Sequence, residues 1–247
     1  MQFDRANATL LATPADIEAI ASHVAADGAT IPEAWIEGGL GDVETGLDPT
    51  ATGIAEVVSK PDRSVVIERF DGDLVTLLFV AWDRTGRATI SQGASEELLA
   101  VTATDLRLLP ALLAQALRLR PGTEAPAEAP RHTTVSAIEQ ILGNGQPAGN
   151  GASAGNPNTN GAHTGDELDA AVGEVRHAWR ATGSWSGREA DRSVTLLSAT
   201  GGGLWEVSVE APDSGPVEPT TPVVLRPVGF DTAMVAVGDV VTGRTAA

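Results

Sequence analysis

Asp62-Arg63-Ser64-Val65 recurs as Asp191-Arg192-Ser193-Val194, and the residues after each copy are patterned alike. An apolar, β-branched stretch comes first, then a Gly-bearing turn (Gly72; Gly201–Gly203), a second apolar stretch and a turn led by Asp83 or Asp213. A short strand then runs into an acidic helix start at Asp105 or Asp231. Landmarks in one order at similar spacing predict a duplicated β-β-β-α unit. A lone three-stranded sheet leaves both edges exposed, so two such units are expected to pair about a quasi-two-fold axis. The expected fold class is therefore α+β: a central, mainly antiparallel sheet with flanking helices, in two quasi-two-fold related β-β-β-α halves.

Between the copies lies Gly143–Gly165, with seven Gly, five Asn and no charged or large aliphatic residue among its 23 positions. Such a segment buries nothing that would offset the entropy of ordering it. It is expected to be a disordered, flexible tether. The chain then divides into an N-terminal half (1–142), the tether (143–165) and a C-terminal half (166–247), expected to form one integrated domain.

Local signals place the elements. Thr13-Pro14-Ala15-Asp16 reads as a capped helix start, with Ile17, Ile20, Ala21 and Val24 on one face and a stop at Gly28. Ile31–Thr45 reads as loop. Asp48-Pro49 opens a second helix that ends near Lys60-Pro61. Strands are expected over Arg63–Phe70, Leu74–Trp82, Arg87–Gln92, Leu98–Val101, Val175–Thr182, Ser193–Ser198, Leu204–Glu210 and Val223–Arg226. Leu74–Trp82 is a nearly continuous apolar run, as for a central strand covered on both faces. A Leu-rich helix opens at Thr104 or Pro110, with a break at the proline, and runs to Leu119. Pro121–Arg131 is loop, and Thr134–Leu142, Asp166–Val172 and Asp231–Val241 are helical.

Charge and composition narrow the function. The formal net charge is −17, and no Lys/Arg cluster exists to meet a polyanion, so nucleic acid and anionic membrane surfaces are unexpected partners. No cysteine is present, which removes disulfides, thiolate nucleophiles and Cys-based metal sites. No apolar run approaches membrane-span length, and Met1–Thr13 is not patterned as a secretory signal, so a soluble, cytoplasmic protein is expected.

No catalytic, cofactor-binding or metal-binding residue emerges. His23, His132, His163 and His177 have no metal-ligand spacing. Gly183-Ser184-Trp185-Ser186-Gly187 matches a nucleophile elbow only loosely and reads as a Ser-rich loop. Gly201–Gly203 reads as a hairpin turn. Glu96-Glu97 and Asp71/Asp73 flank turns or strand ends, without the pocket that acid–base work requires. Trp82, Trp179 and Trp205 are expected in the core. Trp35 and Trp185 fall in loop-like stretches and are weighed between packing and an exposed anchor. The expectation is a non-catalytic protein without a cofactor, its partner-binding residues unknown.

The order of features resembles the EspG family, secretion-associated proteins of the actinobacterial type VII (ESX) system. The resemblance rests on Gly46-Leu47-Asp48-Pro49 entering a short helix, on Lys60-Pro61-Asp62 before a strand pair joined at Asp71-Gly72-Asp73, and on Val101-Thr102-Ala103-Thr104-Asp105-Leu106 before a Leu-rich helix. It implies a cytosolic chaperone that binds helical secretion substrates (PE/PPE- or WXG100-like) and keeps them soluble. It carries over no individual contact residue. The alternative is another protein-binding scaffold or regulatory module of the same architecture.

Overall fold

A computed structural model describes residues 1–26, 30–71, 74–95, 97–143, 168, 172–185, 192–199, 203–209 and 217–242. In chain order its elements are β1 (Gln2–Asp4), β2 (Thr9–Ala12), α1 (Pro14–Ala25), α2 (Glu33–Glu37), β3 (Gly41–Asp42), β4 (Gly46–Leu47), α3 (Pro49–Ser59), β5 (Arg63–Asp71), β6 (Leu74–Trp82), β7 (Arg87–Gly93) and β8 (Leu99–Asp105). A 3₁₀ turn (Leu106–Leu108) leads into α4 (Leu109–Ala116), followed by β9 (Arg131–Thr134), α5 (Val135–Gly143), β10 (Val175–Trp185), β11 (Arg192–Ala199), β12 (Leu204–Val209), β13 (Pro222–Val228) and α6 (Phe230–Thr242).

Eleven strands form one antiparallel sheet in the order β1-β2-β8-β7-β6-β5-β10-β11-β12-β13-β9, and β3 and β4 form a separate hairpin. Outward from the central β5–β10 pair the order reads the same on both sides: β6 answers β11, β7 answers β12, β8 answers β13, and β2 answers β9. Helices obey the same rule. α4 follows β8 as α6 follows β13, and α1 follows β2 as α5 follows β9. The β-β-β-α unit is present twice, as β6-β7-β8-α4 and β11-β12-β13-α6, each preceded by one further strand.

This symmetry does not equate the two Asp-Arg-Ser-Val copies. Asp62 precedes β5, whereas Asp191 precedes β11, the counterpart of β6. The local dyad passes between Ile67 and Ala181, which pair across the centre. Counting outward along the ladders, Leu109, Leu113 and Leu117 answer Ala233, Val237 and Val241, and Ile17 answers Ile138, all of them buried. The halves share a pattern of burial rather than residue identity.

The two faces of the sheet are covered differently. α4 and α6 lie on one face, packing Leu109, Leu113, Val237 and Val241 onto Val65, Ile67, Val80, Trp179, Ala181 and Leu196. On the opposite face α1, α2 and α3 enclose Phe3, Leu10, Trp35, Leu40 and Val101 over the first half. There α5 and the fully buried Leu168 cover Phe70, Ala178, Leu197, Trp205 and Leu225 in the second. β9 and α5 precede the Gly/Asn-rich segment in the chain yet build the side of the sheet formed by residues beyond it, so the sheet does not divide at residue 142.

Helix starts follow the local code. Thr13 accepts from the Asp16 backbone N–H at 3.1 Å while the Asp16 carboxylate accepts from the Thr13 N–H at 3.0 Å, a reciprocal cap. Asp48 caps α3, accepting from Thr50 and Ala51. Pro110 stands in the first turn of α4, just after the expected break, and Thr104 stays in β8.

Other expectations are corrected. Ile31–Thr45 contains α2, whose Trp35 is buried, and half of the β3–β4 hairpin. β1, β2 and β9 are too short, at three or four residues each, to stand out. β6 is not covered on both faces, because Leu77 is 49% exposed. The alternation read from Val175 breaks at a bulge between Val175 and His177, so Val175 packs on the face of Ala178 while Trp179 and Ala181 face α4 and α6. Gly183, Ser184 and Trp185 extend β10 rather than form a loop. The expectations for Gly28, Gly72-Asp73, the tether beyond Gly143, Asp213–Pro216, and the Thr200–Gly203 turn apart from Gly203 lie outside the described residues. So does Asp166–Val172 apart from Leu168 and Val172, both helical.

Candidate functional site

The helices over the second face do not meet. Among the described residues α1–α3 lie over β2, β8, β7 and part of β6, α5 lies over β11–β13, and Val66 and Leu77 between them are exposed. Side chains on a strand alternate between faces. Those two and four positions from the buried Phe70, Ala178 and Leu197 therefore form the open floor.

Two rungs cross it. Phe79, Val66, Thr182 and Ser193 stand side by side on β6, β5, β10 and β11, and Leu77, Glu68, Arg180 and Thr195 form the next row. Val66 is 38% exposed and Leu77 49%. Arg180 lies 3.8 Å from Glu68 and 3.3 Å from Glu139 of α5, so an ion-pair chain links the floor to its helical wall. Toward α5 the floor deepens into a cleft of about 610 Å³ lined by Ile138, Glu139, Arg180, Thr182, Thr195 and Val207.

The dyad makes the floor's chemistry legible. It relates Val66 to Arg180, Leu77 to Ser193, Phe79 to Thr195 and Glu68 to Thr182. Positions that are equivalent in the fold are apolar on the β5–β6 side except for Glu68, and all polar on the β10–β11 side. The result is a rigid, two-sided surface suited to an amphipathic segment rather than to a small polar substrate. No run of apolar residues in the sequence marks it, because Leu77 sits within a stretch that reads as wholly buried.

The residues weighed as catalytic or metal-binding do not converge. His23 lies on α1 beneath Trp35, edge-on at 5.2 Å, with a buried Nε2 that has no hydrogen-bond partner. His132 is exposed on β9, Glu97 is exposed in a loop, and His163 and Glu96 lie outside the described residues. Among the described residues no cluster of three His, Asp or Glu side chains is placed to hold a metal ion. The one close imidazole–carboxylate contact among them is His177 Nδ1 to Asp71 Oδ1 at 2.6 Å. Arg69 donates to the other Asp71 oxygen at 2.9 Å and to the Ala116 carbonyl at 3.1 Å. That network ties the end of α4 to the central strands. Trp82, Trp179 and Trp205 are core residues, and Trp35 packs in the core as well. The Trp185 side chain lies outside the described residues.

No helix among the described residues is long and apolar enough to cross a membrane. The sequence matches no protein-family model and no curated protein. Its fold is similar to the solved structure of the Mycobacterium tuberculosis type VII secretion system chaperone EspG5 in complex with the PE25–PPE41 dimer, at 12% identity and a TM-score of 0.55, over 96% of this chain and 97% of that one. The large antiparallel sheet with flanking helices is thus an EspG-like fold.

Proposed function

We propose that this protein is a cytoplasmic, non-enzymatic type VII (ESX) secretion chaperone that binds a helical PE/PPE-like substrate pair and keeps it soluble, with the open floor of the sheet as its docking surface. The observation that carries this reading is the floor itself, where Val66, Leu77 and Phe79 form an apolar strip on a rigid sheet facing the polar Arg180–Glu68–Glu139 chain. A helix end with apolar residues along one side would bury them against β5 and β6 and turn its polar side to β10. The likeness in fold to a chaperone over nearly the whole chain supports the same reading.

The test is co-purification with PE–PPE and WXG100-like pairs from the same secretion system, for the wild type and for Leu77→Asp and Val66→Asp. The expected result is a stable complex for at least one pair with the wild type, lost in both variants while their thermal unfolding stays near the wild type's. Failure of every pair to bind, or variants that bind as the wild type does, would overturn the proposal in favour of a different scaffold or regulatory role.

A further inference from the structure

The dyad relates the two ends of the β5–β10 pair on the α4/α6 face, and the two ends are finished differently. At the Asp71 end, Arg69 holds the last turn of α4 through the Ala116 carbonyl, and its charge is met by the Asp71 carboxylate at 2.9 Å. His177 takes the second Asp71 oxygen, and Phe230 packs against the core beside α4 and α6. At the other end of the same two strands Arg63, which the dyad relates to His177, donates to the Thr242 carbonyl of α6 at 2.9 Å. Trp185 stands opposite Arg63 on β10, where the first end has its acid–imidazole pair. Arg63 has no carboxylate partner among the described residues.

Next to this solvent-exposed cation is a cleft of about 370 Å³ between α4 and α6. Its walls are Trp82, Leu109, Leu113, Met234, Val237 and Val241, and Arg63 and Thr242 supply the polar groups at one end. An apolar cavity of this size with one charged group is built for a ligand having a hydrocarbon body and a single anionic head. An arginine fork matches a carboxylate, and it leaves Nε and Nη2 free to donate once Nη1 is used on Thr242.

We propose that this cleft binds an amphiphilic monocarboxylate, its carboxylate on Arg63 and its chain against Trp82, Leu109, Leu113 and Val237. The site is on the face of the sheet opposite the proposed docking floor and does not depend on that reading. An amine head would be repelled by the Arg63 charge, and a hydroxyl head would form no ion pair with it.

Titration calorimetry with decanoate, 1-decanol and decylamine tests this directly on the full chain. Decanoate is expected to bind 1:1, with the alcohol and amine weaker by about tenfold or more. Arg63→Gln should weaken decanoate by a similar factor, and Arg63→Lys should restore part of it. A Cβ at Gly238, which lines the cleft, meets nothing within 4 Å. Gly238→Leu is therefore expected to fold and to block the cleft. Equal binding of decanol and decanoate, no saturable binding, or a Gly238→Leu variant that binds as the wild type does would each overturn the proposal. A change in oligomeric mass on Gly238→Leu would assign the cleft to a second copy of the chain instead and would equally defeat it.

Discussion

Ile67 and Ala181 face each other across the β5–β10 ladder at the local dyad, and both are buried beneath α4 and α6. Because the join is a continuous antiparallel pair with a shared core, the two sides of the sheet are expected to unfold together. Ile67→Ala should destabilise the chain by about 2–5 kcal/mol through lost burial and a cavity. Urea unfolding followed by tryptophan fluorescence and by far-UV circular dichroism should give one coincident transition, shifted as a whole. A variant that unfolds one side first would show that the halves are independent.

The Thr13–Asp16 cap makes a second prediction. Thr13→Ala is expected to destabilise by about 1 kcal/mol. The Thr13 backbone N–H, aided by its hydroxyl, holds the Asp16 carboxyl below the usual carboxylate value. A carboxyl that is more acidic folded than unfolded stabilises above its unfolded pKa, and that stabilisation is lost as pH falls through the folded value. Asp16→Asn should therefore weaken the protein at neutral pH and make the acid limb of its stability profile shallower. Urea midpoints measured from pH 7 down to pH 2 check this.

Arg87 ties the β6–β7 turn to α3, contacting Asp83 at 2.6 Å and Glu56 at 2.7 Å. Burial alone would push the Asp83 carboxyl up, but hydrogen bonds from Thr85 and Arg87 outweigh it and hold the group low. Arg87→Met should lose about 1 kcal/mol at neutral pH, as expected for a half-exposed network. The loss should shrink as pH falls toward the lowered Asp83 value, where that carboxylate begins to be protonated and its contact with Arg87 weakens. Chemical denaturation at pH 7 and pH 3 checks both statements.

Gly53 lies within α3, and an added Cβ would meet only the flexible Arg87 side chain, at 3.4 Å. Gly53→Ala is expected to stabilise by about 0.5–1 kcal/mol by removing the entropic penalty of a mid-helix glycine. A lower melting temperature would show that Arg87 cannot shift.

Much of the local structure is legible in the residues themselves. Thr13-Pro14 and Asp48-Pro49 announce α1 and α3, Pro110 marks the start of α4, and the Val/Ile/Leu stretches place β5–β7 and β11–β13. Gly46-Leu47-Asp48-Pro49 likewise forms a strand end, a positive-φ glycine and a helix cap in close succession. The docking floor is not legible, because the exposure of Leu77 depends on where α3 and α5 stop, and neither helix encodes that distance. Arg63 stands out in the sequence only as part of a repeated tetrapeptide, and its place beside an apolar cleft comes from the packing of α4 against α6.

Antiparallel strands with flanking helices, two similarly patterned halves and the absence of cysteine chemistry are therefore properties of the amino-acid order alone. They are set by composition and by residues within a few positions of one another: caps, turns and the period of apolar side chains. Three other properties exist only once the chain has folded. β5 answers β10 rather than β11, β9 and α5 belong with the second side of the sheet, and one face keeps an open floor while the other keeps an open cleft. Strand partners and uncovered surface arise from contacts between residues far apart in the chain, where energy is settled by the apolar area still to be buried rather than by any local signal.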